Sequence, residues 1–258
     1  MIIAIMGRDG VGKSTFAASL GHMIAQHKTT AVVDTDLWQP TLPAHYSGPL
    51  RNENSLGKYI MAVGPIEVLK FLHQHPDDKY LFYAGMVPED NYLSCAINAQ
   101  MRRTTPKIEQ MRARQAVNFI AGCAKEVDNV IIDCSSQHDD YFLEAAFTQA
   151  DSLITLISPD LMGAYWLQSM ECVFAQIGKF GFTGQHIVVA TKTSEINDIN
   201  ALNTLIAPYA VSYTLPYSDE VEYKALARSM QQQPKTQTGK AYYGMVRTIL
   251  KSLRQNGE

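Results

Sequence analysis

Near its amino terminus the chain reads Gly7-Arg8-Asp9-Gly10-Val11-Gly12-Lys13-Ser14, a match to G-x-x-x-x-G-K-[ST], and this stretch narrows the possible folds more than any other. Such a loop works in one setting, after a buried strand and at the start of a helix. Both are predicted here: the apolar run 2–6 precedes it, and Phe16, Leu20, Met23 and Ile24 recur at helical spacing after it. Glycines let successive backbone N–H groups curl around phosphate oxygens, and the helix adds its positive end. Lys13 then reaches the β and γ phosphates of a nucleotide, and Ser14 offers its hydroxyl to magnesium. Gly7, Asp9, Gly10, Val11, Gly12, Lys13, Ser14 and Thr15 are therefore the expected phosphate-binding residues. The competing reading, a plain glycine turn, does not require the strand before and the amphipathic helix after.

The rest of the chain repeats the same alternation. Strands are expected over 2–6, 30–34, 79–84, 129–133, 152–158, 186–191 and 211–215. Several, such as Val130-Ile131-Ile132 and Ile187-Val188-Val189, are continuous apolar runs, as a strand covered on both faces requires. Helices are expected over 13–26, 65–75, 106–125, 160–179, 197–207, 219–231 and 238–254. The order implies an α/β, doubly wound, mostly parallel sheet of about seven strands with helices on both faces, one domain spanning 1–258. A chain of 258 residues that is 46% hydrophobic can bury its core without staples. Cys95, Cys123, Cys134 and Cys172 stand far apart and read as buried thiols, and the seven histidines show no metal spacing. There is no basic leader, and the apolar stretch 152–170 is broken by Pro159 and Asp160, so a cytoplasmic protein is expected.

Two acids fall at strand ends. Asp34-Thr35-Asp36 closes the second strand and Asp133 closes the run before it. In a doubly wound sheet ligands sit beyond the carboxyl ends of strands, which brings these acids to the crevice of the phosphate loop. Asp133 is expected to hold magnesium through water, and Asp36 to orient the attacking water and to help hold the metal. Taken alone, either acid would read as a helix cap or turn residue.

These residues resemble the MinD/ParA family of ATPases, whose phosphate loop reads K-G-G-x-G-K-[ST] and whose second strand ends in D-x-D. The likeness continues through Gln149-Ala150-Asp151-Ser152-Leu153-Ile154 to Ser158-Pro159, and through Leu215-Pro216-Tyr217-Ser218-Asp219-Glu220-Val221. It implies ATP and Mg2+, an ATP-dependent homodimer with nucleotide at the interface, and slow hydrolysis that resets the dimer. It also implies adenine contacts from Pro216 and Tyr217, and from Thr193, which stands where the family has Asn. Lys13, Asp36 and Arg8 are the implied catalytic set, with Ser14, Asp36 and Asp133 around the metal. Arg8 replaces the family's signature lysine, which crosses to the partner's phosphates, and Asp9 replaces a glycine. Asp9 is expected to pair with Arg8. A loop without the signature lysine looks most like the pilus-assembly branch represented by TadZ and CpaE.

Three surfaces are candidates for output to a protein partner, DNA or membrane. Arg102, Arg103, Lys107, Arg112 and Arg114 form a basic cluster suited to DNA phosphates or to a solvated helix face. Tyr242, Met245, Val246, Ile249, Leu250 and Leu253 form a stripe opposite Lys240, Arg247, Lys251 and Arg254; it would serve a peripheral membrane contact or, more commonly, pack on the sheet. Tyr165 and Trp166 offer an aromatic surface. The resulting expectation is a weakly hydrolysing dimerisation switch that positions or recruits a partner, at the inner membrane face or a cell pole if it is peripheral. Two other readings stay open: a metabolic P-loop ligase or kinase of the dethiobiotin-synthetase type, and a hydrolysis-deficient nucleotide-binding interaction module.

Overall fold

The computed structural model describes residues 1–37, 41, 45–48, 51–62, 64, 66–87, 90, 106–136, 141–179 and 182–255, with the backbone alone for 176–179 and 255. Among the described residues eight strands form one sheet: β1 (Ile2–Gly7), β2 (Thr30–Asp34), β3 (His73–His75), β4 (Asp78–Ala84), β5 (Asn129–Asp133), β6 (Ser152–Ile157), β7 (Gln185–Thr193) and β8 (Val211–Pro216). Their spatial order is β3-β4-β2-β5-β1-β6-β7-β8. All neighbours are parallel except the β3–β4 hairpin at one edge. β1 lies between β5 and β6, and every residue of β2, β5 and β6 is buried, which explains their unbroken apolar character.

Pleating sends alternate side chains of β1 to opposite layers. Ile3 and Ile5 join Phe16 and Leu20 of α1 (Lys13–Ala25), while Ala4 and Met6 join the layer that contains α2 (Leu56–Met61), α3 (Pro106–Glu126) and α4 (Tyr141–Gln149). A third cluster lies under α5 (Leu161–Ser169) and α7 (Ile199–Leu205), beyond which come α8 (Asp219–Leu226) and α9 (Gln237–Gln255); α6 (Glu171–Lys179) follows α5 directly. The apolar stripe of α9 belongs to the first layer: Val246, Ile249 and Leu253 are at most 2% exposed and pack with Phe16 and Leu20. That face is therefore core.

Several expectations need correction. The segment assigned as a helix over 65–75 is instead a short 3-10 turn, Val68–Phe71, followed by β3. Its apolar spacing suits either form, and the outcome is decided by β4, against which His73 and His75 turn inward while Gln74 points out. The strand count rises accordingly from about seven to eight. The helix expected over 160–179 divides at Met170, whose side chain is buried in the core. That expected over 219–231 stops at Leu226, with Arg228 at a left-handed φ of 52°. α2 and α4 were not anticipated. Arg112 is not part of a basic surface: it is 6% exposed and donates to Tyr141 Oη at 3.0 Å. Arg102 and Arg103 lie outside the described residues. Cys172 is exposed, not buried; Cys123 and Cys134 are buried as expected, and Cys95 lies outside the described residues. Among the described residues no helix is long and apolar enough to cross a membrane.

Candidate functional site

Beyond the carboxyl ends of β1, β2 and β5 lies a cavity of about 400 Å³. The phosphate loop forms one wall. Gly10 and Gly12 adopt φ of 77° and 91°, which L side chains rarely tolerate, and Gly12 stands as the cap residue of α1. Gly7 is required for a different reason: a Cβ there would meet Leu156 O at 2.5 Å, so only glycine lets the loop leave β1 against β6. Thr191 of β7, 4% exposed, donates its hydroxyl to Val11 O at 2.8 Å and so ties the loop to the sheet.

Lys13, Ser14 and Thr15 line this cavity together with Asp9, Asp34, Asp36 and Asp133. Most of these are expected at one crevice from the sequence, which gives Asp34 no role of its own. The sheet register shows why it matters: Asp34 of β2 is the direct neighbour of Asp133 of β5, and each is 4% exposed. Burial and, for Asp133, the nearby Asp34 charge raise both carboxyl groups above their ordinary range. Lys13 and a hydrogen bond from Ser14 oppose the rise at Asp133. Thr41 joins the two sides: its hydroxyl lies 2.9 Å from Asp34 Oδ2 and 3.1 Å from Ser14 Oγ. Its N–H donates to Asp34 Oδ2 at 2.7 Å, and Asp36 N–H donates to Asp34 Oδ1 at 3.1 Å.

Asp133 Oδ1 is buried without a hydrogen-bond partner. A buried carboxylate oxygen left in that state is costly unless something positive approaches it. Ser14, Asp133 and Asp34 thus suit a hard divalent cation such as Mg2+. Among the described residues no cluster of three or more His, Cys, Asp or Glu is arranged as a metal cage.

Asp9 and Arg8 do not pair as expected. Asp9 Oδ1 stands 3.9 Å from Lys13 Nζ, and the Arg8 charge instead helps hold the Asp160 carboxyl below its usual range, after hydrogen bonds from Gly163 and Ser158. Lys13 Nζ also donates to Arg8 O at 3.3 Å. The loop lysine is thus occupied by a loop carboxylate and a loop carbonyl, both of which phosphate oxygens would replace.

A second, smaller cavity of about 70 Å³ adjoins the first, lined by Val11, Thr15, Phe16, Pro216, Tyr217 and Val221 among others. Its partly apolar lining suits a base. Pro216 and Tyr217 both line it. Thr193 does not line it; its hydroxyl is held by Leu215 O at 3.1 Å, and Thr191 and Lys192 take that side. Lys192 was missed. It lines both cavities, sits at a φ of 54°, and pairs with Glu222 at 3.0 Å. A left-handed non-glycine residue at a ligand crevice is a strained position of the kind found at functional sites, and nothing in the local sequence announces it.

No family model matches the chain. Solved structures do. A Cyanothece McdA is 18% identical with a TM-score of 0.75, over 96% of this chain and 98% of that one. A ParA family ATPase from Chlorobium tepidum is 13% identical with a TM-score of 0.74, again over 96% and 98%. The septum site-determining protein MinD from Pyrococcus horikoshii, complexed with Mg-ADP, is 14% identical with a TM-score of 0.70, over 96% and 95%. The chain therefore has the fold of MinD/ParA-type ATPases along nearly its whole length.

Proposed function

We propose that this chain is an ATP-binding switch of the MinD/ParA type, one domain in which ATP and Mg2+ are bound at the carboxyl ends of β1, β2 and β5. The observation that carries this reading is the meeting of Lys13, Ser14 and the register-paired Asp34 and Asp133 around one cavity, with an unpartnered carboxylate oxygen inside it. The shared fold and the Mg-ADP held by the Pyrococcus horikoshii protein support it.

Each residue has a defined task. The loop N–H groups and Lys13 bind phosphate oxygens, and Ser14 and Asp133 hold the metal, with Asp34 orienting Ser14 through Thr41. When bound, Mg2+ supplies charge neutralisation to the β and γ phosphates. Asp36 lines the same cavity and accepts hydrogen bonds from a water directed at the terminal phosphate. Pro216, Tyr217 and Lys192 receive the base. Arg8 is the cation offered across a dimer interface, and a planar guanidinium there grips phosphate oxygens bidentately.

The output is ATP-dependent dimerisation that recruits a protein partner for cellular positioning or partitioning. Assignment to the pilus-assembly branch rests on Arg8 and Asp9 alone. Membrane attachment through α9 has no free apolar face to use, because its stripe is buried.

Size-exclusion chromatography of the wild type and Asp36→Ala with ATP and Mg2+ tests the switch. A shift toward dimer, longer-lived in Asp36→Ala, is expected; monomer in both would remove the mechanism. Phosphate release measured alone and with DNA or liposomes then identifies what stimulates turnover.

A further inference from the structure

A cleft of about 380 Å³, nearly the volume of the nucleotide crevice, opens apart from the phosphate loop. It lies at the carboxyl-terminal end of α1, between that helix, the loop 230–234 and α9. Its lining on α1 runs from Ser19 to Gln26, so it begins about 9 Å along the helix from Lys13 and reaches about 20 Å.

The walls are built rather than incidental. Lys224, 4% exposed, donates to Gln232 O at 2.7 Å and pairs with Glu220 at 3.2 Å. Tyr243 Oη donates to Met230 O at 3.1 Å, and the Glu220 carboxylate takes the N–H groups of Lys235 and Thr236, each at 2.7 Å. These bonds hold the loop in place and present Gln231, Gln232 and Gln233 to the cleft, with no side-chain hydrogen bond to other described residues.

The lining carries two cations, Lys240 and Arg247, against one carboxylate, Asp78. Lys240 and Arg247 stand on the cleft face of α9, a helix without a single acidic residue, and neither has an ion pair among the described residues. Asp78, also on the lining, already gives Oδ1 to the Tyr80 N–H. Met23, Met230 and Tyr243 supply an apolar floor. His22 lines the same cleft, 6% exposed, with its Nδ1 lacking a hydrogen-bond partner.

Gly244 points independently to an occupant. It lies in the interior of α9 between Lys240 and Arg247, where glycine costs roughly 1 kcal/mol relative to alanine. Its φ is not left-handed, and a Cβ there would meet nothing within 4 Å. Neither backbone conformation nor packing demands glycine, and its effect is to leave room between the two cations.

We propose that this cleft binds a small organic anion, its phosphate or carboxylate head on Lys240 and Arg247 and its apolar or ring body against Met23, Met230 and Tyr243. The glutamine amides bind the remaining polar edges. Such a ligand would seat on the same helix whose first turn holds the nucleotide phosphates.

The test is a titration of the full chain followed by NMR at the Gly244 amide and the glutamine side-chain amides, with AMP, inorganic phosphate and citrate as separate probes. Repeating it in Lys13→Ala separates this site from the phosphate loop. Saturable shifts with a Kd below about 1 mM are expected for at least one probe. AMP or phosphate binding assigns a phosphate head, and citrate binding a carboxylate head. Lys240→Ala and Arg247→Ala should each weaken binding about tenfold. Gly244→Met should abolish it while raising the Tm, since the helix gains propensity and the cleft is filled. Three silent probes up to about 10 mM, an unchanged Kd in both cation variants, or full binding by Gly244→Met would overturn the proposal.

Discussion

Replacing His22 by leucine should make the protein's stability less sensitive to acid, by an amount that the structure allows to be worked out. His22 packs its ring 5.1 Å from that of His75 and 6.5 Å from that of Tyr83. Burial first, then the nearby His75 and His45, lower its pKa from 6.5 to about 3. The neutral ring is thus what the fold accepts. A base depressed in this way contributes fully above pH 6.5, and its contribution is lost as the pH falls toward 3. At pH 5 the unfolded chain takes up a proton that the folded chain refuses, which costs roughly 2 kcal/mol, or 1.36 kcal/mol for each of about 1.5 pH units. Leucine keeps the helix propensity, fills a similar volume and removes the unpartnered Nδ1, so at pH 8 the variant should match the wild type within about 1 kcal/mol. Urea unfolding at pH 8 and pH 5, followed by circular dichroism, reads the difference. His45 and His186, lowered to about 4 by burial, stay mainly neutral at pH 5 in both proteins, so their share of the loss is common to the two. The wild type should lose roughly 2 kcal/mol more than His22→Leu between the two pH values. Profiles parallel within about 0.5 kcal/mol would refute the reasoning.

Three further outcomes follow from the crevice and the core. Asp9→Ala should tighten nucleotide binding only about two- to fivefold and less in high salt, because Asp9 is 62% exposed and its 3.9 Å contact with Lys13 is screened by water; isothermal titration at two ionic strengths measures it. Asp133→Asn should raise the nucleotide-free Tm by removing one of two adjacent buried charges, yet lose the extra stabilisation that Mg2+ with ATP confers, with both effects visible in one thermal-shift series. Ile249→Ala should cost about 2–5 kcal/mol in chemical unfolding while leaving liposome sedimentation unchanged, since the side chain is fully buried against the sheet.

What could be read from the sequence was local. The limits of β2 and β5 and the course of the phosphate loop followed from apolar runs punctuated by Asp and Gly. The stripe of α9 likewise announced a buried face. What escaped depends on neighbours distant in the chain. Asp34 acquires its role only because β2 pairs with β5, which places a residue 99 positions later beside it. Arg112 looked like a surface cation until Tyr141 and Met61, from two other elements, closed over it. β3 is three residues long, too short for periodicity to register, and exists because β4 offers an edge. Lys192 depends on a backbone conformation that its residue type disfavours.

The bond from Thr191 to Val11 O fixes the phosphate loop to the sheet. Little conformational entropy is then left to lose when phosphate arrives, so binding is not taxed by ordering the loop. The same rigidity makes the loop a poor transmitter. A structural element that looks alike with and without its ligand reports nothing to a partner. Binding is then reported through the side chains that phosphate and metal would draw into new company, Lys13 leaving Asp9 and Thr41 yielding Ser14, and through whatever rests upon them.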